Sequence, residues 1–360
     1  MRKLRLIYIL IALMFSACSD KFETERRAIT MCVDLPEVFA DVKSSSAEDK
    51  VNAVAINGIP SEGLSVSLWY SYELGKYQNS PEQPQYIPCF TTVTYNNYNR
   101  VPVKTDEQNS LLYPIAADAN YSDTDNGNVY CVGFYPDSGW SSSSEGSTSK
   151  TAHDINGSDD LMFADQMKGS YSDNFSNQTF SHLTVWLKIN LSATSMKAAE
   201  VWGDVTDLVV VSPNREVMIN FAETEGDSSS VSYSGDPVDF NLALLNNKLS
   251  ITNKTFGQAF CAPPAKVVKN DAGKYEYSTV SEGELGYIVR VKTNNLPEKE
   301  VFVELKNEDM AAISNAQYAK GKLFVITLHF NDVAVVEGVC TLRQWDDQIS
   351  DIYLENESFI

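Results

Sequence analysis

Between His182 and Leu191 apolar and polar positions alternate without a break. Leu183, Val185, Leu187, Ile189 and Leu191 share one face; Thr184, Trp186, Lys188 and Asn190 share the other. Successive side chains of a strand point to opposite faces, so a period of two predicts a half-buried β-strand. Ala28–Leu35 repeats the pattern, setting Ile29, Met31, Val33 and Leu35 against Thr30, Cys32 and Asp34. Leu64–Tyr70 does so again and predicts Leu64, Val66, Leu68 and Tyr70 inward, with Ser65, Ser67 and Trp69 outward.

Shorter apolar runs predict strands at Cys89–Tyr95, Val129–Pro136, Asp207–Val211, Glu216–Phe221, Val238–Leu244, Lys248–Thr252 and Phe256–Ala262. Gly286–Lys292, Val301–Lys306, Lys322–Phe330 and Val333–Trp345 follow. Asp137–Ser158, with four serines at Ser141–Ser144, reads as a long exposed loop. Helix signals are few. The best is Glu308–Ala319, with Asn307 as N-cap and acids in the first turn. Many short strands parted by Gly, Pro, Asn and Ser turns predict an all-β chain of antiparallel β-sandwiches. At 360 residues two domains are expected. The boundary is placed near Ser176–Thr179, dividing 28–178 from 179–360.

The first twenty residues depart from all this. Arg2, Lys3 and Arg5 precede an unbroken apolar run, Leu6–Phe15, and small residues Ser16 and Ala17 lead into Cys18. That is the build of a secretory signal peptide, residues 1–17, cut between Ala17 and Cys18. Its run is too short to span a bilayer, which takes about 20 apolar residues. It also resembles a bacterial lipoprotein signal, in which the cysteine is acylated; the alternative is an ordinary signal with Cys18 incidental. Lipid there would tether an otherwise soluble chain to the outer membrane, with residues 18–27 as the tether.

Net charge is −20, and loss of Arg2, Lys3 and Arg5 with the signal makes it −23. Such a surface repels nucleic acid, which excludes that partner class. With Cys18 assigned to lipid, Cys32, Cys89, Cys131, Cys261 and Cys340 remain, an odd number without metal-ligand spacing. Cys32, Cys131, Cys261 and Cys340 lie in apolar strand-like runs and read as buried small hydrophobes, with one disulfide still open to a periplasmic chain.

Chemistry-bearing strings are scarce. Nucleophilic catalysis usually needs a base beside the nucleophile, and the histidines are His153 in the serine-rich loop and His182 and His329 in strands. No G-x-S-x-G, H-E-x-x-H or glycine-rich phosphate loop occurs. Asp123, Asp125 and Asn126, and again Asp154, Asn156, Ser158 and Asp160, lack the glycine and closing glutamate of a calcium loop. An acid pair such as Asp159–Asp160 would point to opposite faces of a strand, unlike the facing carboxylates of a hydrolase. No enzyme, metal or cofactor is expected. Trp69–Tyr98 is rich in aromatics, and Trp69, Tyr70 and Tyr72 are the candidates for a glycan-stacking platform; cross-strand aromatic pairing is the alternative.

Several pieces together resemble one family. Cys18 is followed by the alternating strand Ala28–Leu35. DLMFAD at Asp160–Asp165 precedes FSHLTVWLKINLSA at Phe180–Ala193. QAFCAPPA at Gln258–Ala265, KLFVITLHF at Lys322–Phe330 and VEGVCTLRQWDD at Val336–Asp347 then close the chain. In this order they look like the Bacteroidetes fimbrillin-like family, lipoprotein-derived subunits of surface fimbriae. The resemblance implies two tandem transthyretin-like sandwich domains with few short helices. It also implies assembly with other fimbrial subunits by strand exchange, after an arginine-specific protease removes an N-terminal strand. Ala28–Leu35 would be the removable strand and 349–360, where Ile352 and Leu354 alternate, the donor. Arg26 and Arg27 precede the strand and no arginine lies between them and Arg100. A cut at Arg27 would release the lipid and leave the strand. The expectation is therefore a structural subunit (stalk, tip or anchor) that supports adhesion at the cell surface. The competing reading is an outer-membrane lipoprotein that binds glycans or host proteins.

Overall fold

A computed structural model describes residues 30–34, 38–40, 50–51, 53, 55–57, 64–71, 73–77, 89–95, 101–102, 128–142, 149–170, 173, 175–278, 282–306 and 320–344. The strands in chain order are β1 (Thr30–Asp34), β2 (Val38–Ala40), β3 (Ala55–Asn57), β4 (Leu64–Ser71), β5 (Cys89–Tyr95) and β6 (Val101–Pro102). Next come β7 (Val129–Tyr135), β8 (Ser141–Ser142), β9 (Lys150–Asp154), β10 (Met162–Gly169), β11 (Asn177–Thr179) and β12 (Ser181–His182). Then β13 (Val185–Ala193), the helix α1 (Met196–Trp202), β14 (Val205–Ser212), β15 (Glu216–Asn220), β16 (Ser230–Ser234) and β17 (Val238–Asn241). The series ends with β18 (Lys254–Cys261), β19 (Ala265–Lys269), β20 (Tyr275–Tyr277), β21 (Glu284–Thr293), β22 (Lys299–Glu304), β23 (Lys322–Phe330) and β24 (Val336–Gln344). The fold is all-β, as the alternation predicts. The expected helix at 308–319 lies outside the described residues.

Four larger sheets carry the architecture. In the later part of the chain, the sheet β18-β13-β23-β24 faces the sheet β17-β14-β21-β19-β20, with β22 on the other edge of β21. The expected inward face of β13 is interior: Val185, Leu187, Ile189 and Leu191 meet Leu208, Val210, Tyr287, Val289 and Phe324 in one apolar core. The opposite face is covered at one end, where Trp186 packs with Ala53, Phe260, Leu323 and Val325. Among the named strands pairing is antiparallel except that β13 runs parallel to β23 and β1 parallel to β11. The helix α1, not anticipated, starts where the Ser195 side chain accepts from the Ala198 N–H and ends at Gly203, at φ 74°. A Cβ at Gly203 would strike the Asn294 and Asn295 side chains. Trp202 is fully buried, stacks edge-on against Phe330 and donates to the Asn331 carbonyl at 2.8 Å.

The earlier part forms the sheet β12-β10-β7-β4-β5. Its companion, β16-β15-β9-β8, joins segments from both sides of residue 178: β9 pairs with β15 from Asp154↔Glu216 to Lys150↔Asn220. This corrects the reading of Asp137–Ser158 as an exposed loop, since Thr151, Ala152 and His153 are buried in a strand. The partner is the β15–β16 hairpin, 60 and more residues downstream, and a short KTAHD run shows no alternation of its own. The hairpin's far end is tied to a bulge in β10, between Ala164 and Met167. There Asp165 accepts from the Ser229 N–H and hydroxyl, and Gln166 donates to the Ala222 carbonyl. Bulges re-aim side chains in this way. The apolar core is accordingly continuous, with Trp69, Phe134 and Phe163 in the same cluster as Val217, Ile219 and Phe221 and as Leu187 and Phe324.

Trp202→Ala is expected to lower unfolding stability by about 3–5 kcal/mol, the usual cost of truncating a buried aromatic. Urea denaturation followed by circular dichroism checks it.

Candidate functional site

The N-terminal strand sits between two others. β1 pairs in parallel with β11 (Cys32↔Asn177, Val33↔Gln178, Asp34↔Thr179) and antiparallel with β6 (Thr30↔Pro102, Met31↔Val101). It is thus the middle strand of a three-stranded sheet whose outer members are two and three residues long. The segment carrying β11 is anchored inward. Phe175 packs edge-on against Tyr70 at 6.3 Å, and the buried Gln178 side chain faces the Cys131 thiol and carbonyl, at 3.7 and 3.5 Å.

That anchoring overturns one expectation. Trp69 and Tyr70 are 4% and 2% exposed, so they cannot form a surface platform for glycans. One face of β4 meets the core, where Trp69 lies 4.5 Å from Phe134 and donates to the Ser67 hydroxyl; the other lies under the Phe175–Gln178 segment. Residues 66–71 are therefore buried on both faces, and the outward assignment of Ser67 and Trp69 was wrong because the alternation could not show the second covering layer. Tyr72 lies outside the described residues, as do Ala17, Cys18, Arg26, Arg27, Asp123, Asp125, Asn126 and 349–360.

The buried polar centre of the chain is where it crosses from β12 to β13. Asp160 has no exposed surface; both its carboxylate oxygens lie 3.0 Å from His182 Nδ1, and the Thr184 hydroxyl donates to it at 3.5 Å. Backbone bonds pin the same place: Leu183 N–H to the Leu161 carbonyl, Gly321 N–H to the Thr184 carbonyl, and the Tyr233 hydroxyl to the Leu183 carbonyl. Asp160 is thus committed to holding a junction. Its neighbour Asp159 accepts from the Asn156 amide at 2.6 Å, and Asn156 Oδ1 accepts from the Ser158 and Asp159 N–H groups, which is a local turn. Among the described residues no group of three or more His, Cys, Asp or Glu is placed to hold a metal ion. The sequence does not show Asp160, which opens the DLMFAD string, to be the acid partner of His182, because the two meet only through the pairing of β10 with β12.

The other two histidines also have local partners. His329 Nδ1 lies 2.8 Å from the Ser192 hydroxyl, its register partner on β13. His153 has Nδ1 2.6 Å from the Asp154 carbonyl and Nε2 3.2 Å from the Ser138 carbonyl, with Trp140 against its ring. Cys131, Cys261 and Cys340 are buried, as expected for small hydrophobes. Burial pushes the Cys131 and Cys261 thiols well above the ordinary range; for Cys131 the Tyr70 and Gln178 hydrogen bonds oppose this only in part. A neutral buried thiol is a poor nucleophile.

Comparison with known proteins gives structural neighbours only. No family model matches the chain, and no curated protein does. Among solved structures it is similar to a candidate cell-adhesion protein from Bacteroides uniformis, at 14% identity and a TM-score of 0.48, over 90% of this chain and 99% of that one. A candidate adhesin from Bacteroides ovatus matches at 9% identity and 0.43, over 91% and 96%. The fimbrial anchor protein Mfa2 from Porphyromonas gingivalis matches at 9% identity and 0.38, over 89% and 98%. These neighbours are cell-adhesion candidates and a fimbrial anchor.

Two outcomes follow from the buried groups. His182→Ala removes the ring that faces both oxygens of the buried Asp160 carboxylate and is expected to cost about 3 kcal/mol of stability, read by urea unfolding. In the native chain Cys131, Cys261 and Cys340 are expected to resist iodoacetamide and to label fully in denaturant, as mapped by mass spectrometry.

Proposed function

We propose that the chain is a non-enzymatic structural subunit of bacterial surface fimbriae, exported as a lipid-anchored precursor, assembled with other subunits by strand exchange and supporting adhesion. The observation that carries the reading is the seat of β1. A strand near the N-terminus fills a slot between β6 and β11 through a ladder of only five register pairs. A slot of that kind, once vacated, leaves backbone N–H and C=O groups unpaired, and an incoming strand satisfies them. Such an exchange needs no catalytic group, which agrees with the commitment of Asp160 to His182 and Thr184.

Among the stalk, tip and anchor roles, the arginine positions favour an anchor or accessory one. Arg26 and Arg27 stand before β1, and the next arginine is Arg100, beyond β5. A cut after Arg27 separates the chain from Cys18 without freeing Thr30–Asp34. In this reading the mature subunit keeps its lipid at the outer membrane, and β1 gives up its slot only to a neighbour's strand that displaces it. The glycan-binding alternative is left without two of its named contacts, since Trp69 and Tyr70 are interior.

The mature N-terminus, read by mass spectrometry on the native envelope, is expected to be lipid-modified Cys18 with Arg26 and Arg27 intact. Sheared surface fibres are expected to carry the chain in ladders that resist detergent. Its recovery solely as a free monomer would remove the assembly reading.

A further inference from the structure

The sheet that holds β14 and β21 carries a hairpin across its outer face. Along one edge of β21 lies β22; on the other, β14 pairs as far as Ile288 and β19 takes over at Gly286. The β19–β20 hairpin leaves at that fork, and Tyr277 pegs it down. The Tyr277 hydroxyl donates to the Val211 carbonyl at 2.8 Å and accepts from the Ile288 N–H at 3.3 Å. Val211, Val267 and Ile288 form a small apolar cluster there, separate from the main core. Tyr275 stands two residues before Tyr277 on the same strand and so shares its face. Its ring lies 5.6 Å from Phe302 of β22, its N–H donates to Glu300 Oε1 at 2.8 Å, and Lys269 Nζ sits 5.4 Å from the ring centre. Tyr275 and Phe302 are half-buried, so this pinned aromatic pair still meets solvent.

Beside the pair the sheet face is polar. Register sets Glu300 of β22 next to Arg290 of β21, and the Arg290 guanidinium pairs with Asp239 of β17. Arg290 Nε is buried, and among the described residues nothing accepts from it. A buried donor left without an acceptor is costly and rare. Glu300 and Asp239 each engage one oxygen in the bonds just named and have a second to offer. These groups narrow the ligand. An anion would be repelled by Glu300 and Asp239, and a cation by Arg290 and Lys269. A hydroxyl both donates and accepts, so neighbouring hydroxyls serve the carboxylates and Arg290 Nε together and bring no charge. The aromatic pair calls for a flat apolar face beside them. A pyranose ring has both. We propose that this ledge binds a neutral glycan, with one sugar ring against Tyr275 and Phe302 and its hydroxyls toward Arg290, Glu300 and Asp239. The site goes beyond the fimbrial reading and does not rest on it, because it uses neither β1 nor the lipid. It is also distinct from Trp69–Tyr72, where the sequence had placed a glycan contact.

The test uses the exported chain with Cys18→Ser, which keeps it free of lipid. The probes are neutral polysaccharides (mannan, galactan, starch and a mixed-linkage β-glucan), with polygalacturonate as the acidic control and polylysine as the basic one. Affinity electrophoresis followed by calorimetry is expected to show at least one neutral polymer bound, with a dissociation constant of about 1 mM per site, as suits a small contact. Tyr275→Ala is expected to weaken it about tenfold by removing the stacking ring. Arg290→Lys keeps a cation for Asp239 but loses the Nε–H, and is expected to weaken binding about tenfold with circular dichroism and urea midpoint unchanged. Lys197→Ala, on α1, is expected to leave binding unmoved. Retention of none of the neutral polymers overturns the proposal. So does binding that Arg290→Lys and Tyr275→Ala both leave intact, or binding of the acidic or basic polymer alone. Loss of the detergent-resistant ladders would remove the fimbrial reading and leave this result standing.

Discussion

The structure depends on one backbone ladder between strands far apart in the chain, β9 with β15. Five register pairs, Lys150–Asp154 against Glu216–Asn220, place the β15–β16 hairpin over the earlier sheet. Without it, Phe134, Trp69 and Tyr77 would lose a covering ring, because Phe221 at the turn end of the hairpin packs against all three. Burial of large aromatics dominates core energetics, so the ladder converts two neighbouring sandwiches into one continuous apolar interior. Asp165 and Gln166, the Asp160–His182 pair and the Val51–Ala53 segment on β17 and β18 reinforce the same joint with directional bonds.

This arrangement sets what each polar feature can do. A carboxylate that holds two partners at a crossover is a structural group, whatever its resemblance to an acid of a catalytic pair. The buried thiols and histidines likewise have neighbours that occupy them. Among the described residues, the polar groups named above are taken up within the fold.

Legibility followed the number of layers over each strand. β13 was readable because one of its faces is entirely core and the other mostly polar, which leaves a clean period of two. β4 looks the same in sequence, yet Phe175 and Gln178 add a layer over its second face, and serines and Trp69 are interior there. β9 has no pattern at all; its burial is conferred by β15. The helix α1 is seven residues long, below the length at which helical periodicity shows, although Ser195 ahead of Lys197-Ala198-Ala199-Glu200 is a fair N-cap signal. The pairing of Asp160 with His182 joins residues 22 apart across a strand register, and no local string announces it.

The parallel pairing of β13 with β23 carries a consequence for biosynthesis. Ser192 and His329 are register partners 137 residues apart, and the whole sandwich between them is an excursion from that one seam. High contact order slows folding because the loop must close before its contacts reward it. The interior around Leu187 and Phe324 therefore cannot shut until β23 has been made, and one edge of β13 waits unpaired for a strand 137 residues downstream.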